Sequence, residues 1–123
     1  MADKRDPTLR VTMLPRDTNA RGTIFGGVIL SHVDLAGAIV AAREGPRNFV
    51  TRAIHEVEFI APVYVGDVVS LYASVRKRGN TSVAIKVDVE AERFNEPGVV
   101  VKVTTAEVVY VAVDENGKPV PIA

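Results

Sequence analysis

Residues 27–43 read GVILSHVDLAGAIVAAR, and this stretch decides the fold. It is apolar or small at nearly every position, and Gly45-Pro46 follows it as a pair of helix breakers. The apolar run is shorter than the roughly 20 residues of a membrane span and contains Ser31, His32 and Asp34. Because such a helix is apolar on nearly every side, we expect other structure to surround it, with a sheet as the natural wrapper.

Strand patterns lie on both sides of this helix in the sequence. After Pro46 the apolar residues recur with period two and β-branched residues dominate, which is typical of strands separated by short turns. Gly79-Asn80 fits a two-residue hairpin loop with positive φ. The pattern predicts a short strand near residues 9–14 and four long strands at residues 49–60, 68–78, 81–93 and 99–113.

A helix followed by an antiparallel meander is an α+β arrangement, because βαβ units would alternate helices with strands. We therefore predict a hotdog fold, in which a curved antiparallel sheet of about five strands wraps one long central helix. The 123 residues fit one such domain, which would span residues 1–123.

The composition argues against several kinds of partner and site. Lysine plus arginine and aspartate plus glutamate both number 15, so the net charge does not indicate nucleic acid or a membrane as a partner. The chain has no cysteine, which excludes disulfides and thiolate nucleophiles, and its two histidines lack the spacing of a metal site. Residues 1–7 are charged and lack the apolar region of a signal peptide, so we expect a cytoplasmic protein.

Asp34 is the single carboxylate in the helical stretch, and it follows the glycine-bearing segment DTNARGTIFGG at residues 17–27. An ionised carboxylate is unfavourable in an apolar environment, and perturbed carboxylates concentrate at functional sites. Two interpretations stay open at this point. Asp34 is either a reactive group or a structural carboxylate that an arginine or backbone amides neutralise.

Ordered motifs extend over nearly the whole chain. DTNxxGxIFGG at residues 17–27 is followed by Asp34, FxxPVxVGDxV at residues 59–69, Thr81-Ser82, and YVAVDxxGKP at residues 110–119. This set resembles the YciA-type acyl-CoA thioesterases of the hotdog superfamily. The resemblance implies hydrolysis of acyl-CoA to a free acid and coenzyme A, with no cofactor beyond the coenzyme A of the substrate. It also implies a homo-oligomer built from hotdog dimers, which we expect to be a hexamer formed as a trimer of dimers.

The chemistry of such a reaction assigns roles to four residues. Unpaired amides at the helix amino terminus, around Gly26 and Gly27, can hold the thioester carbonyl oxygen as it becomes an oxyanion. Asp34 would then act as a general base on water or as a nucleophile that forms a transient anhydride, and the sequence leaves both routes open. By resemblance, Asn19 helps to orient the water or the thioester.

The spacing of these groups predicts a site shared by two chains. Seven residues place Gly27 and Asp34 on one helix face but roughly 10 Å apart along the axis, too far for one carbonyl to contact both. If the helices of two protomers pack antiparallel, the amides of one protomer approach the aspartate of the other. We therefore expect an inactive monomer.

Coenzyme A carries phosphates, so cations are expected near the mouth of the site. Arg78 lies in the basic hairpin RKR at residues 76–78, and Arg93 lies in a segment that departs from a more lysine-rich family pattern. Basic residues at a hairpin also protect sheet edges, so a purely structural role stays open. The candidate substrate and coenzyme A contacts are Thr18, Phe25, Arg78, Gly79, Thr81, Ser82 and Arg93.

Two other functions compete with thioester hydrolysis. A non-catalytic acyl-CoA-binding regulatory hotdog module would need no carboxylate on the helix, so Asp34 argues against it. A hotdog dehydratase or hydratase would need an aspartate and a histidine as a close pair. His32 lies two positions from Asp34 and therefore on a different helix face, which argues against that function.

Overall fold

The computed structural model describes residues 6–123, so part of the charged amino-terminal segment, residues 1–5, lies outside the described residues. Within residues 6–123, no helix is long and apolar enough to cross a membrane. The bounds of the helix and all five strands agree with the sequence predictions to within two residues. The elements are β1 (Leu9–Thr12), a short 3-10 helix (Pro15–Asp17), α1 (Gly26–Ala41), β2 (Asn48–Phe59), β3 (Val68–Arg78), β4 (Ser82–Glu92) and β5 (Val100–Val113).

The five strands form one antiparallel sheet in the order β1-β3-β4-β5-β2. The sheet curls around α1 as a half-barrel, and α1 contacts β2, β3, β4 and β5. The alternation in β4 places one row of side chains against the helix with no exposed surface, namely Val83, Ile85, Val87 and Val89. These features confirm the predicted α+β hotdog fold.

The helix is covered on one side only. Its sheet-facing residues are buried, and they are Ile29, Val33, Ala36, Gly37, Val40 and Ala41. The opposite stripe is open to solvent: Gly27, Ser31 and Ala42 are exposed, Leu35 is 51% exposed, and Asp34 is partly exposed. The sheet of one protomer therefore wraps the helix on one side, because a five-stranded half-barrel reaches only around that side.

Strand β2 is an edge of the sheet. It pairs with β5 alone among the strands within residues 6–123, which leaves a long backbone edge free. Large apolar side chains along this strand are also exposed, with Val50 at 48% and Phe59 at 53%. Long free edges with exposed apolar residues are typical of surfaces that another chain covers.

The hairpin between β3 and β4 differs from the two-residue loop that the sequence predicts. The strands end at Arg78 and restart at Ser82, and the Gly79 amide donates to Ser82 O at 2.7 Å. The glycines with positive φ in the described part of the chain are Gly22, Gly66, Gly98 and Gly117. The Ile122 amide donates to Asn80 O at 2.9 Å, so pairing with the carboxyl-terminal segment shapes this loop instead.

Candidate active site

The glycine-bearing segment fixes the point at which α1 begins. The Phe25 amide donates to Asp17 O at 3.0 Å, and the Ile24 amide donates to Val63 O at 2.9 Å. The carboxylate of Asp17 in turn accepts a hydrogen bond from the Leu14 amide at 2.9 Å. Several backbone bonds therefore hold the segment, and the first turn of the helix has a fixed position at the open end of the sheet.

Asn19 closes a turn inside this segment. Its Oδ1 accepts hydrogen bonds from the Arg21 amide at 2.8 Å and the Thr23 amide at 3.2 Å, and its Nδ2 donates to Thr23 Oγ1 at 2.8 Å. One Nδ2 hydrogen is left over after these contacts. The side chain is thus largely engaged with its own loop, and its role in orienting water or the thioester stays a prediction.

The first two amides of α1 are the free donors that the site requires. The Val28 and Ile29 amides both donate to Phe25 O, at 3.1 and 3.3 Å, whereas the Gly26 and Gly27 amides have no acceptor within residues 6–123. A Cβ atom on Gly26 would lie 3.2 Å from the Phe59 ring, but a Cβ atom on Gly27 would meet nothing within 4 Å. Gly27 is therefore the more accessible of the two amides in one protomer.

A cavity of about 290 Å³ opens beside this helix end. Its lining is mainly apolar and includes Ile24, Ile29 and Phe59, together with the buried Thr104. Phe25 lies between Ile24 and Gly26, which both line the cavity. Its own side chain is 52% exposed and does not line the cavity. The apolar space next to the free amides matches what an acyl group needs.

Among residues 6–123, two hydroxyl groups and no cation hold Asp34. Thr51 Oγ1 donates to Asp34 Oδ1 at 2.7 Å, and Tyr110 Oη lies 3.0 Å from the same oxygen. Thr51 and Tyr110 are direct cross-strand partners in β2 and β5, so their side chains point to the same sheet face. Within the described residues, Oδ2 forms no hydrogen bond and no ion pair involves Asp34. The structure thus excludes an arginine-paired carboxylate among these residues.

Asp34 lines an open depression of about 430 Å³, together with Ser31, His32, Leu35 and Phe49. His32 lines the same depression, but its ring Nδ1 contacts Val28 O at 2.9 Å and no hydrogen bond joins its ring to Asp34. Burial, the negative charge of Asp34 and their hydrogen bond all raise the pKa of Tyr110 above its ordinary value. The Tyr110 hydroxyl therefore keeps its proton and is available as a donor.

The candidate coenzyme A contacts fall at two opposite ends of the protomer. Arg78 lies 3.7 Å from Glu44, just beyond the carboxyl end of α1, and Gly79, Thr81 and Ser82 belong to the same hairpin. Arg93 lies near the amino end of α1, where its guanidinium pairs with Asp67 at 2.8 Å and donates to Pro62 O at 2.9 Å. One protomer does not bring these two groups together.

Thr18 and Arg93 have limited freedom to contact a ligand, because their side chains already bind other parts of the protomer. The Thr18 hydroxyl donates to Pro15 O at 2.7 Å, which engages its proton locally. The Arg93 side chain is 16% exposed and also lies over the Tyr64 ring, 5.0 Å from its centre. A coenzyme A contact by either residue stays a prediction.

Sequence reasoning missed the residues that hold Asp34. Thr51 lies in a strand whose alternation gave no sign of a site, and Tyr110 was part of a quoted motif but received no role. Gly37, which lies against Tyr110, was also overlooked. The available signal was the single tyrosine among the valines and the alanine of residues 108–113.

The sequence matches the Thioesterase superfamily over residues 21–97, which is more than half of the chain. It is 45% identical over 116 residues to the acyl-CoA thioester hydrolase YciA of Salmonella typhimurium, covering 93% of this chain and 87% of that protein. The YciA protein of Escherichia coli is 44% identical over 116 residues, covering 93% of this chain and 88% of its own.

Two solved structures have the same fold. Cj0915, a hexameric hotdog fold thioesterase of Campylobacter jejuni, superposes with a TM-score of 0.89 at 45% identity, over 99% of this chain and 93% of that one. HI0827, a hexameric broad-specificity acyl-coenzyme A thioesterase, superposes with a TM-score of 0.88 at 40% identity, over 100% of this chain and 84% of that one. The recognition made from the ordered motifs is thereby confirmed. The chain belongs to the thioesterase superfamily.

Proposed function

We propose that this protein hydrolyses acyl-CoA thioesters to a free carboxylic acid and coenzyme A, with Asp34 as general base or nucleophile. The observation that carries the proposal is the pair of unsatisfied groups on the open stripe of α1, the Asp34 Oδ2 atom and the Gly27 amide. The sequence similarity of this chain to proteins named acyl-CoA thioester hydrolases supports the same reaction.

The chemistry runs through these two groups by either of two routes. In the first, Asp34 accepts a proton from water as the water oxygen attacks the thioester carbon, and the Gly27 amide donates to the oxyanion. Collapse of the intermediate breaks the C–S bond, and the departing thiolate takes the proton from Asp34. In the second, Asp34 attacks the carbon, the thiolate leaves, and water hydrolyses the anhydride.

The active unit is a homodimer whose sites cross the interface between protomers. The open helix stripe and the free edge of β2 are two uncovered surfaces that a second copy can bury. Antiparallel helices would bring Gly27 of one protomer next to Asp34 of the other. The same arrangement would bring Arg93 of one protomer to the end at which Arg78 of the other lies, which gathers the cations near one ligand.

Three such dimers would form the hexamer that the solved relatives adopt. Coenzyme A would take part only as a portion of substrate and product, with no metal or further cofactor. We expect one catalytic domain over residues 1–123 and a cytoplasmic location.

Release of free thiol from a panel of acyl-CoAs of different chain length tests the proposal. The native protein should release thiol, and the isosteric Asp34→Asn variant should bind the same acyl-CoAs with turnover reduced to background. Undiminished turnover by Asp34→Asn would refute the role of this carboxylate. Binding of acyl-CoA by the native protein without any turnover would instead identify a regulatory module.

A further inference from the structure

The Tyr110 hydroxyl contacts two oxygens of the same residue. It donates to the backbone carbonyl of Asp34 at 2.6 Å and lies 3.0 Å from Asp34 Oδ1. A phenol has one proton, so these two oxygens share or exchange a single donor. The Tyr110 side chain is 1% exposed, which fixes the ring and leaves rotation of the hydroxyl proton as its main freedom.

Gly37 makes this contact possible. A Cβ atom at Gly37 would lie 2.3 Å from Tyr110 Oη and 3.0 Å from two ring carbons. Any other residue at this position would push the hydroxyl away from the turn of α1 that carries Asp34. The close approach between Gly37 and Tyr110 therefore serves the contact with Asp34 and not the helix, in which glycine is unfavourable.

The hydroxyl suits both charge states of the carboxylate. When Asp34 is ionised, the Tyr110 proton can turn towards Oδ1 and, together with Thr51, hold that oxygen while Oδ2 is left to the reaction. When Oδ2 has accepted a proton, the demand at Oδ1 falls and the Tyr110 proton can return to the backbone carbonyl. One donor can thus follow the charge of Asp34 without moving the ring.

We propose that Tyr110, admitted by Gly37, is a positioning residue that sets the orientation of Asp34 and donates to its ionised form. The inference rests on the proposed role of Asp34 in thioester hydrolysis. The other titratable group that lines the depression is His32 of α1, whereas β2 contributes Phe49 and Thr51, which do not titrate.

The Tyr110→Phe variant tests the inference because it removes the hydroxyl and keeps the ring. We expect kcat to fall about 10-fold to 100-fold, the effect of one hydrogen bond to a charged group, with KM little changed. The acid limb of the kcat–pH profile should move to higher pH, because the ionised carboxylate loses a donor. The same comparison in a His32→Gln background removes the imidazole that also lines the depression.

A double-mutant cycle with Gly37→Ala tests the same contact without removing the ring. With tyrosine at position 110, the added methyl group meets the hydroxyl, so kcat should fall and the acid limb should move as in Tyr110→Phe. With phenylalanine there, the ring carbons still crowd the methyl group at 3.0 Å but the 2.3 Å clash with the hydroxyl is gone, so Gly37→Ala should lower kcat less than it does beside tyrosine. Tyr72→Phe, which removes the hydroxyl of a buried tyrosine in β3 that pairs across the sheet with Asp88 of β4, should keep the native kcat and acid limb.

Native kcat in Tyr110→Phe would overturn the inference, and so would a lower kcat with an unmoved acid limb, since a loosened core alone would give that result. Additive effects in the cycle would also contradict it. If Asp34→Asn is inactive while Tyr110→Phe behaves as native, the inference fails and the proposed function stands. If Asp34→Asn keeps full turnover, the proposed function itself fails.

Discussion

Asp34 and Asp67 are two carboxylates of this chain in opposite environments. Asp67 is 2% exposed, and its oxygens accept hydrogen bonds from the Tyr64 and Phe94 amides and from the Arg93 guanidinium. Asp34 is less buried, has hydroxyl donors on Oδ1 only, and pairs with no cation within residues 6–123. Asp67, the more buried carboxylate, thus has the more complete set of hydrogen-bond donors.

The difference shows that burial alone does not identify a reactive carboxylate. A cation and two amides stabilise the charge of Asp67 and leave it no free oxygen for chemistry. The neutral donors of Asp34 bind one oxygen and leave the other without a donor among residues 6–123, in a residue that lines an open depression. The free oxygen, and not the depth of burial, distinguishes the candidate catalytic residue from the structural one.

The largest expected effect comes from Asp34→Asn. Asparagine can still accept from Thr51 and Tyr110 through its own Oδ1, so the fold should be retained. Loss of the base should lower kcat by about 10²-fold to 10⁴-fold. Thiol-release kinetics measure this effect, and thermal unfolding checks that the variant is as stable as the native protein. If the variant kept its activity but lost stability, Asp34 would be a structural carboxylate like Asp67 and not the catalytic one.

Asp67→Ala should produce the opposite behaviour. It leaves the Arg93 charge buried without its partner, which should lower the free energy of unfolding by about 3–5 kcal/mol. Chemical denaturation measures the loss, and kcat of the folded fraction should stay near native. The matched control is the double variant Asp67→Ala with Arg93→Met, which should recover part of the stability because it removes the unpaired charge. No recovery would mean that the ion pair is not what Asp67 contributes.

Gly27→Ala tests the second group of the proposed site, the free Gly27 amide at the start of α1. The methyl group meets nothing within 4 Å in the protomer, so the fold should tolerate it, but it would stand between the free amide and a thioester oxygen. We expect kcat to fall by up to about 10²-fold, as for a weakened oxyanion donor. Steady-state kinetics measure this effect. Unchanged kcat in a stably folded variant would remove Gly27 from the site.

Thr51→Val should give the smallest of these effects. It removes one of the two donors to Asp34 Oδ1 from a partly open position, so kcat should fall about 10-fold. The acid limb of the kcat–pH profile should move to higher pH, since the ionised carboxylate loses a stabilising contact. Thr51→Ser keeps the hydroxyl and is the control that should retain the native profile. An equal loss in both variants would point to packing of the methyl group.

Much of the fold was predictable because apolar periodicity and turn residues record local structure directly. The helix and strand bounds follow from that pattern, and Asp34 was identifiable as a charge in an apolar helix. The contacts of the Thr51 and Tyr110 hydroxyls with Asp34 were not predictable. They depend on the register between β2 and β5, which includes a bulge next to Thr51. The buried pairing of Arg93 with Asp67 was equally invisible, since these residues lie in separate loops that only the folded sheet brings together.

A mixed-oligomer experiment tests the shared site most directly. Asp34→Asn and Gly27→Ala chains, each nearly inactive alone, are unfolded together and refolded, and thiol release is measured per chain. If sites cross the interface, turnover should rise to about a quarter of the native value, because half the dimers are mixed and each contains one intact site. If each site lies within one protomer, every site carries a defect and turnover stays at the level of the separate variants, which would contradict the account.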